Sequence, residues 1–141
     1  MMISQTAEYA LRAVVSLAQK PEKPLTTAEI AKATKVPEFY LSKVLHALAK
    51  AEIVYSKRGV HGGYTLSNPA GQTPLLDVIN AVDPMKKIES CPLKLKAHAK
   101  NLCALHKRIN HSISLMQEAF RSVTIQTILE EPSKSIPLCE S

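Results

Sequence analysis

A mainly α-helical chain with one small β-hairpin and a long amphipathic helix near its end is what this sequence predicts. Three observations carry that expectation. Apolar residues recur at helical spacing in three successive segments of the first fifty residues. A glycine-rich, basic stretch, Lys57-Arg58-Gly59-Val60-His61-Gly62-Gly63, then separates two short β-prone runs. Farther on, Leu105, Ile109, Ile113, Met116 and Phe120 step by four, four, three and four, a continuous apolar stripe.

Taken in order, the first helix is expected from about Gln5 to Gln19, with Ala7, Ala10, Leu11, Val14, Leu17 and Ala18 in phase and Pro21 just past its end. Thr26 and Glu29 have the spacing of a capping box that opens a short helix through Ile30 and Ala31. Thr34-Lys35-Val36 reads as a tight turn. Pro37 suits the first position of a third helix, where its missing N–H costs nothing. That helix carries Leu41, Val44, Leu45 and Leu48 on one face, and helix, turn, helix is the outline of a helix-turn-helix. Ile53 to Ser56 reads as a strand and Tyr64 to Leu66 as its partner. A hairpin placed there is a wing. Its glycines permit positive φ and close approach to a phosphate, and its cations supply charge. An ordinary surface hairpin is the alternative, and the position directly after the third helix weighs against it.

A fourth helix is bounded by Thr73-Pro74 and Asp83-Pro84, with Leu75, Leu76, Val78, Ile79 and Val82 as its apolar residues. Lys86 to Lys100 has no clean period and reads as a loop, followed by a long helix from about Asn101 to Arg121. So long a helix beyond a domain that already has its core wants a partner, and the same helix of a second subunit is the economical one. Val123 to Leu129 reads as a further short helix, and the tail from Glu131, with two prolines, as loose. The expected organisation is a winged helix-turn-helix domain over 1-83, a sensor loop over 84-100, dimerisation and terminal helices over 101-130, and a flexible tail over 131-141.

Composition narrows the function. A net charge of +6 and a pI near 9.3 point to an acidic partner, nucleic acid foremost. No apolar run is long enough to cross a bilayer. Glu8 and Arg12 interrupt the N-terminal rhythm as they would not in a signal peptide, so a cytoplasmic protein is expected, with no membrane partner. Three cysteines make no secreted disulfide framework. No nucleophile elbow or phosphate loop is present, so an enzyme is not expected. His46 and His111 read as solvated. Cys103 and His106, at i and i+3, share a helix face, and Cys91 approaches from the loop. With His98 they form a Cys-x6-His-x4-Cys-x2-His series, whose thiolates and imidazoles suit an iron–sulfur cluster or zinc. The plainer alternative is a loop with two free thiols. Cys139, in the tail, reads as an unpaired thiol.

Several stretches carry a more specific likeness: Glu8-Tyr9-Ala10-Leu11-Arg12, Ile30-Ala31, Tyr40-Leu41, Arg58-Gly59-Val60-His61-Gly62-Gly63-Tyr64-Thr65-Leu66 and Leu76-Asp77-Val78-Ile79-Asn80-Ala81-Val82. With these the chain resembles the bacterial winged-helix regulator family of the iron–sulfur cluster assembly repressor (IscR), the nitric-oxide-sensing repressor (NsrR) and the cysteine metabolism repressor (CymR). The resemblance covers at least the first two thirds of the chain. It implies a homodimeric, sequence-specific DNA-binding regulator, a repressor by preference, on a roughly palindromic double-stranded operator. It places Tyr40, Ser42 and Lys43 at the start of the recognition helix and Arg58 in the minor groove. Lys57, Gly59, His61, Gly62 and Gly63 complete the wing, with Thr26 as a further DNA-binding candidate; His61 stands where many relatives have a smaller residue. Many relatives also ligate an iron–sulfur cluster through three cysteines ahead of the long helix. Here Cys91 and Cys103 occupy the outer two positions and Ala97 the middle one. His106 matches a ligating histidine of the cluster assembly repressor, and Glu8 a carboxylate ligand of the nitric-oxide sensor. The candidate ligands are therefore Cys91, Cys103 and His106, with Glu8 or His98 as the fourth. A two-iron cluster is the favoured cofactor and zinc the alternative. A cluster-free regulator controlled by a partner protein, or a structural zinc-binding module, is the competing function.

Overall fold

The computed structural model describes residues 3-138. Its first helix, α1 (Gln5–Gln19), is buried without interruption from Ala13 to Ala18. Small side chains on several sides let other helices approach α1 from several directions. These are α2 (Thr27–Thr34), α3 (Glu38–Lys50), α4 (Leu75–Val82) and α6 (Ile125–Glu130). Ser16 is tolerated inside because its hydroxyl donates to the Ala13 carbonyl at 2.7 Å. The capping box expected at Thr26 and Glu29 forms, and α2 ends at Lys35 in the left-handed region, φ 57°. Pro37 caps α3 rather than opening it. Its ψ of 132° is extended, so helical geometry begins at Glu38, while the Pro37 carbonyl accepts the first bond from Leu41 N–H at 3.0 Å.

The hairpin pairs β1 (Val54–Lys57) with β2 (Gly63–Leu66) in antiparallel register, Val54 opposite Leu66 and Lys57 opposite Gly63. Each strand lies within a residue of its expected span. A third short segment joins it. Leu25 N–H donates to the Tyr64 carbonyl at 3.0 Å, and Tyr64 N–H to the Leu25 carbonyl at 2.7 Å. The wing is thereby tied to the chain just ahead of α2.

The C-terminal third divides differently from the expected organisation. Ile125 of α6 is fully buried in the same core as Val14, Leu45 and Val78. Leu75 N–H donates to the Val123 carbonyl at 2.9 Å and Ile125 N–H to the Thr73 carbonyl at 3.0 Å. Residues 3-83 and α6 therefore share one core, and α5 (Ala104–Arg121) crosses outside it with no fully buried residue. The long helix begins three residues later than expected, with Cys103 as its extended cap. Short 3-10 turns occur at Ala70–Gln72 and Lys96–His98. The tail is not loose throughout: Gln19 Nε2 donates to the Pro137 carbonyl at 2.7 Å, and Leu138 packs against the core. Cys139 lies outside the described residues. Among the described residues no helix is long and apolar enough to cross a membrane.

Candidate nucleic-acid interface

One side of α3 is spent on the core, with Leu41, Val44, Leu45 and Leu48 buried. The opposite side presents Phe39, Tyr40, Ser42 and Lys43 to solvent. Phe39 is 68% exposed and Tyr40 54%, and the two rings meet edge to face with centroids 5.6 Å apart. Lys43 Nζ stands 4.5 Å from the centre of the Phe39 ring, one turn farther along. The Ser42 hydroxyl donates to the Glu38 carbonyl at 3.0 Å.

Arg12 holds this helix pair in place. Its Nε donates to Glu8 Oε1 at 2.8 Å, one guanidinium nitrogen reaches the Thr34 carbonyl at 3.1 Å, and the group lies over the Tyr9 ring. The guanidinium thus satisfies a terminal carbonyl of α2 beside the turn that aims α3. Thr26, a DNA-binding candidate in the sequence, spends its hydroxyl locally. The oxygen accepts from Glu29 N–H at 3.1 Å, and Glu29 Oε1 lies 3.1 Å from it. The Thr26 backbone N–H, then its hydroxyl, with the Lys23 ammonium behind them, hold the Glu29 carboxyl below its ordinary range.

The wing stands out from the domain beyond β1. Lys57, Arg58, Gly59, Val60 and His61 are exposed, Val60 to 98%. Its last two glycines have an architectural function. A Cβ on Gly62 would lie 2.2 Å from the Lys57 carbonyl oxygen, and one on Gly63 2.6 Å from the Leu25 carbonyl. They let the hairpin turn tightly and approach the Leu25 segment. Gly59, by contrast, faces open space. Two apolar residues of this surface, Phe39 and Val60, are missing from the candidates read off the sequence. Phe39 is recognisable in retrospect because it falls out of phase with Leu41, Val44, Leu45 and Leu48.

The thiols stand apart from this surface, in the loop of residues 83-103 and at the head of α5. They form two pairs. Cys91, buried, has its Sγ 3.7 Å from His98 Nδ1; Cys103, half-buried, has its Sγ 3.3 Å from His106 Nδ1. Glu8 is engaged with Arg12 instead. Among the described residues no three His, Cys, Asp or Glu side chains cluster as a metal site.

A helix-turn-helix followed directly by a basic wing, with the second helix's outer face free, defines a winged-helix transcription regulator. Residues 3-131 match the Rrf2 model, described as an iron-dependent transcriptional regulator, and the chain belongs to the Rrf2 family. It is accordingly a DNA-binding regulator and not an enzyme. A protein of Aquifex aeolicus (strain VF5) described as an HTH-type transcriptional regulator is 32% identical over 139 residues, 96% of each chain. Protein aau3 of Rhizobium meliloti (strain 1021) is 26% identical, over 92% of this chain and 86% of its own. Among solved structures, CymR (YrzC), the global cysteine regulator of B. subtilis, superposes with a TM-score of 0.75 at 24% identity, covering 94% of this chain and 99% of that one. The IscR of T. potens does so with 0.74 at 22% identity, covering 96% and 94%. These two likenesses show the shared fold, a mainly helical chain with a two-stranded wing.

Proposed function

We propose that the chain acts in the cytoplasm as a homodimeric, sequence-specific repressor on a roughly palindromic operator. Tyr40, Ser42 and Lys43 meet the major groove, Arg58 enters the minor groove, and Lys57 and His61 lie along the backbone. The observation that carries this reading is that the outer face of α3 and the basic wing tip that follows it in the chain are both left exposed. Dimerisation is supported by α5. Leu105 and Ile109 are left 64% and 39% exposed on its apolar stripe, while Asn110 and Gln117, on another side, bind the backbone of Ile88 and Met85. Ile113 stands between the two and Met116 on the stripe, both lining a shallow cavity with Ile3 and Ile79.

The test is fluorescence anisotropy on a duplex selected from a randomised pool. Wild type should bind with an affinity that falls steeply as salt rises. Arg58→Ala should weaken operator binding by about 1–3 kcal/mol, the scale of a good specific contact. Lys57→Ala should weaken all duplexes alike and lower the salt slope by about one. Unchanged affinity in both variants would remove the wing from the interface.

Signal input is assigned to the loop between α4 and α5 and to the head of α5, which carry one thiol–imidazole pair each. Two donors in each pair fall short of the four protein ligands that a two-iron cluster or a structural zinc takes. Among the described residues of one chain, neither pair by itself fits either group. Iron, sulfide and zinc content of anaerobically purified protein is the check. Metal-free protein that still binds its operator supports control by a thiol or by a partner protein. One cluster per chain would mean that subunit assembly brings the pairs together.

A further inference from the structure

We infer that Phe39 is a specificity-determining residue that reads the 5-methyl group of a thymine. The inference rests on the DNA-binding reading above and deepens it at one residue. Phe39 lies on the first turn of α3, 68% exposed, and is not among the hydrophobic residues packed on the core. A single exposed apolar side chain is ordinary on a protein surface. This one differs in being both held and aimed. The Tyr40 ring meets it at 5.6 Å with 75° between planes, and the Lys43 ammonium stands 4.5 Å from its centroid. A ring restrained in this way loses less side-chain freedom on docking than a loose one.

Chemistry then selects the ligand. A recognition helix enters the major groove by its N-terminal residues, and Phe39 is the second residue of α3, after Glu38 and ahead of Tyr40 on the same exposed first turn. Phenylalanine has no donor or acceptor, so it cannot take part in hydrogen-bond readout. The thymine C5 methyl is the apolar group that the major groove presents, and apolar side chains recognise it by contact. Lys43, whose ammonium neighbours the ring, is a cation for an adjacent guanine edge or phosphate. Phe39 and Lys43 together would read a thymine in a defined place relative to a cationic contact.

The experiment removes the methyl alone. A duplex selected by the wild-type protein from a randomised pool is resynthesised with each thymine replaced in turn by deoxyuridine, which keeps the pairing edge and O4. Binding is measured by anisotropy for wild type, Phe39→Ala and Lys43→Gln. For wild type, one thymine per half-site should be methyl-dependent, with affinity falling about fourfold on replacement, the worth of one buried methyl. Phe39→Ala should bind the thymine and deoxyuridine duplexes equally. Lys43→Gln should keep the methyl dependence, because its own loss does not remove the ring. Circular dichroism should show Phe39→Ala fully folded. Absence of any methyl-dependent thymine, or its persistence in Phe39→Ala, overturns the inference while leaving sequence-specific binding intact. Failure to select any sequence overturns the DNA-binding reading itself, and the inference with it.

Discussion

Replacing Gly63 by alanine should detach the wing from the Leu25 segment. Gly63 has φ +147°, and an added Cβ would lie 2.6 Å from both the carbonyl carbon and oxygen of Leu25 and 3.0 Å from its nitrogen. All three atoms are backbone, so a rotamer change cannot relieve the clash. Separation of the segments would do so, at the expense of the two bonds that Leu25 and Tyr64 exchange at 3.0 and 2.7 Å. Two such bonds contribute on the order of 1 kcal/mol each. Forcing a side chain into this φ region adds about 1–3 kcal/mol. The expected loss is thus roughly 3–5 kcal/mol of unfolding free energy, read from the urea midpoint at unchanged slope. Two other glycines calibrate it. Gly59, φ +116° with no atom near its added Cβ, should cost about 1–2 kcal/mol from backbone strain alone. Gly71, whose added Cβ meets only Gln126 Cβ at 3.8 Å, should stay within about 0.5 kcal/mol of wild type. If Gly63→Ala is no more destabilising than Gly59→Ala, close approach to Leu25 is not what the glycine provides.

Two further expectations follow from α5 and α2. Ile109→Glu should leave the monomer fold intact, because the side chain is already partly solvated, yet give a monomer in sedimentation with little operator affinity; a variant that stays dimeric places the seam elsewhere. Ile113 is the poorer probe, since it also faces Ile79 of its own chain across the shallow cavity. At the head of α2, the Glu29 carboxyl is held below its ordinary range by Thr26 and Lys23. A depressed folded-state value contributes stability above the unfolded value and loses it as pH falls through the folded one. The unfolding midpoints of wild type and Glu29→Gln should therefore converge in acid, and a constant gap would show that the carboxylate charge does not matter there.

Much of the helix-turn-helix and wing geometry was legible in the linear pattern because it depends on neighbours in sequence. Capping at Thr26 and Glu29 is a three-residue relation, the buried face of α3 a three-and-four relation, and the hairpin a local reversal. The glycines of the wing were visible as turn formers. Their reason was not, because the atom that excludes a side chain at Gly63 belongs to Leu25. Phe39 was legible in the linear pattern, because its phase on α3 opposes that of Leu41, Val44, Leu45 and Leu48, and its exposure agrees with that phase.

The metal candidates show the limit from the other side. Cys91, His98, Cys103 and His106 read as one series, and spacing along a chain says nothing about how a loop folds back. The fold pairs Cys91 with His98 and Cys103 with His106 and leaves the pairs apart, while Glu8, a candidate ligand by resemblance, is engaged with Arg12. The tail and α6 make the same point. Ile125 sits in the core of a domain that sequence order ends about forty residues earlier, and Pro137 returns to Gln19. By itself the sequence determined the helical periods and the wing, because these rest on short-range spacing and local backbone chemistry, and its motifs carried the likeness to a class of regulator. Only the tertiary structure decided that the two thiol–imidazole pairs stay apart and where the core closes, because each depends on residues distant in the chain competing for the same space.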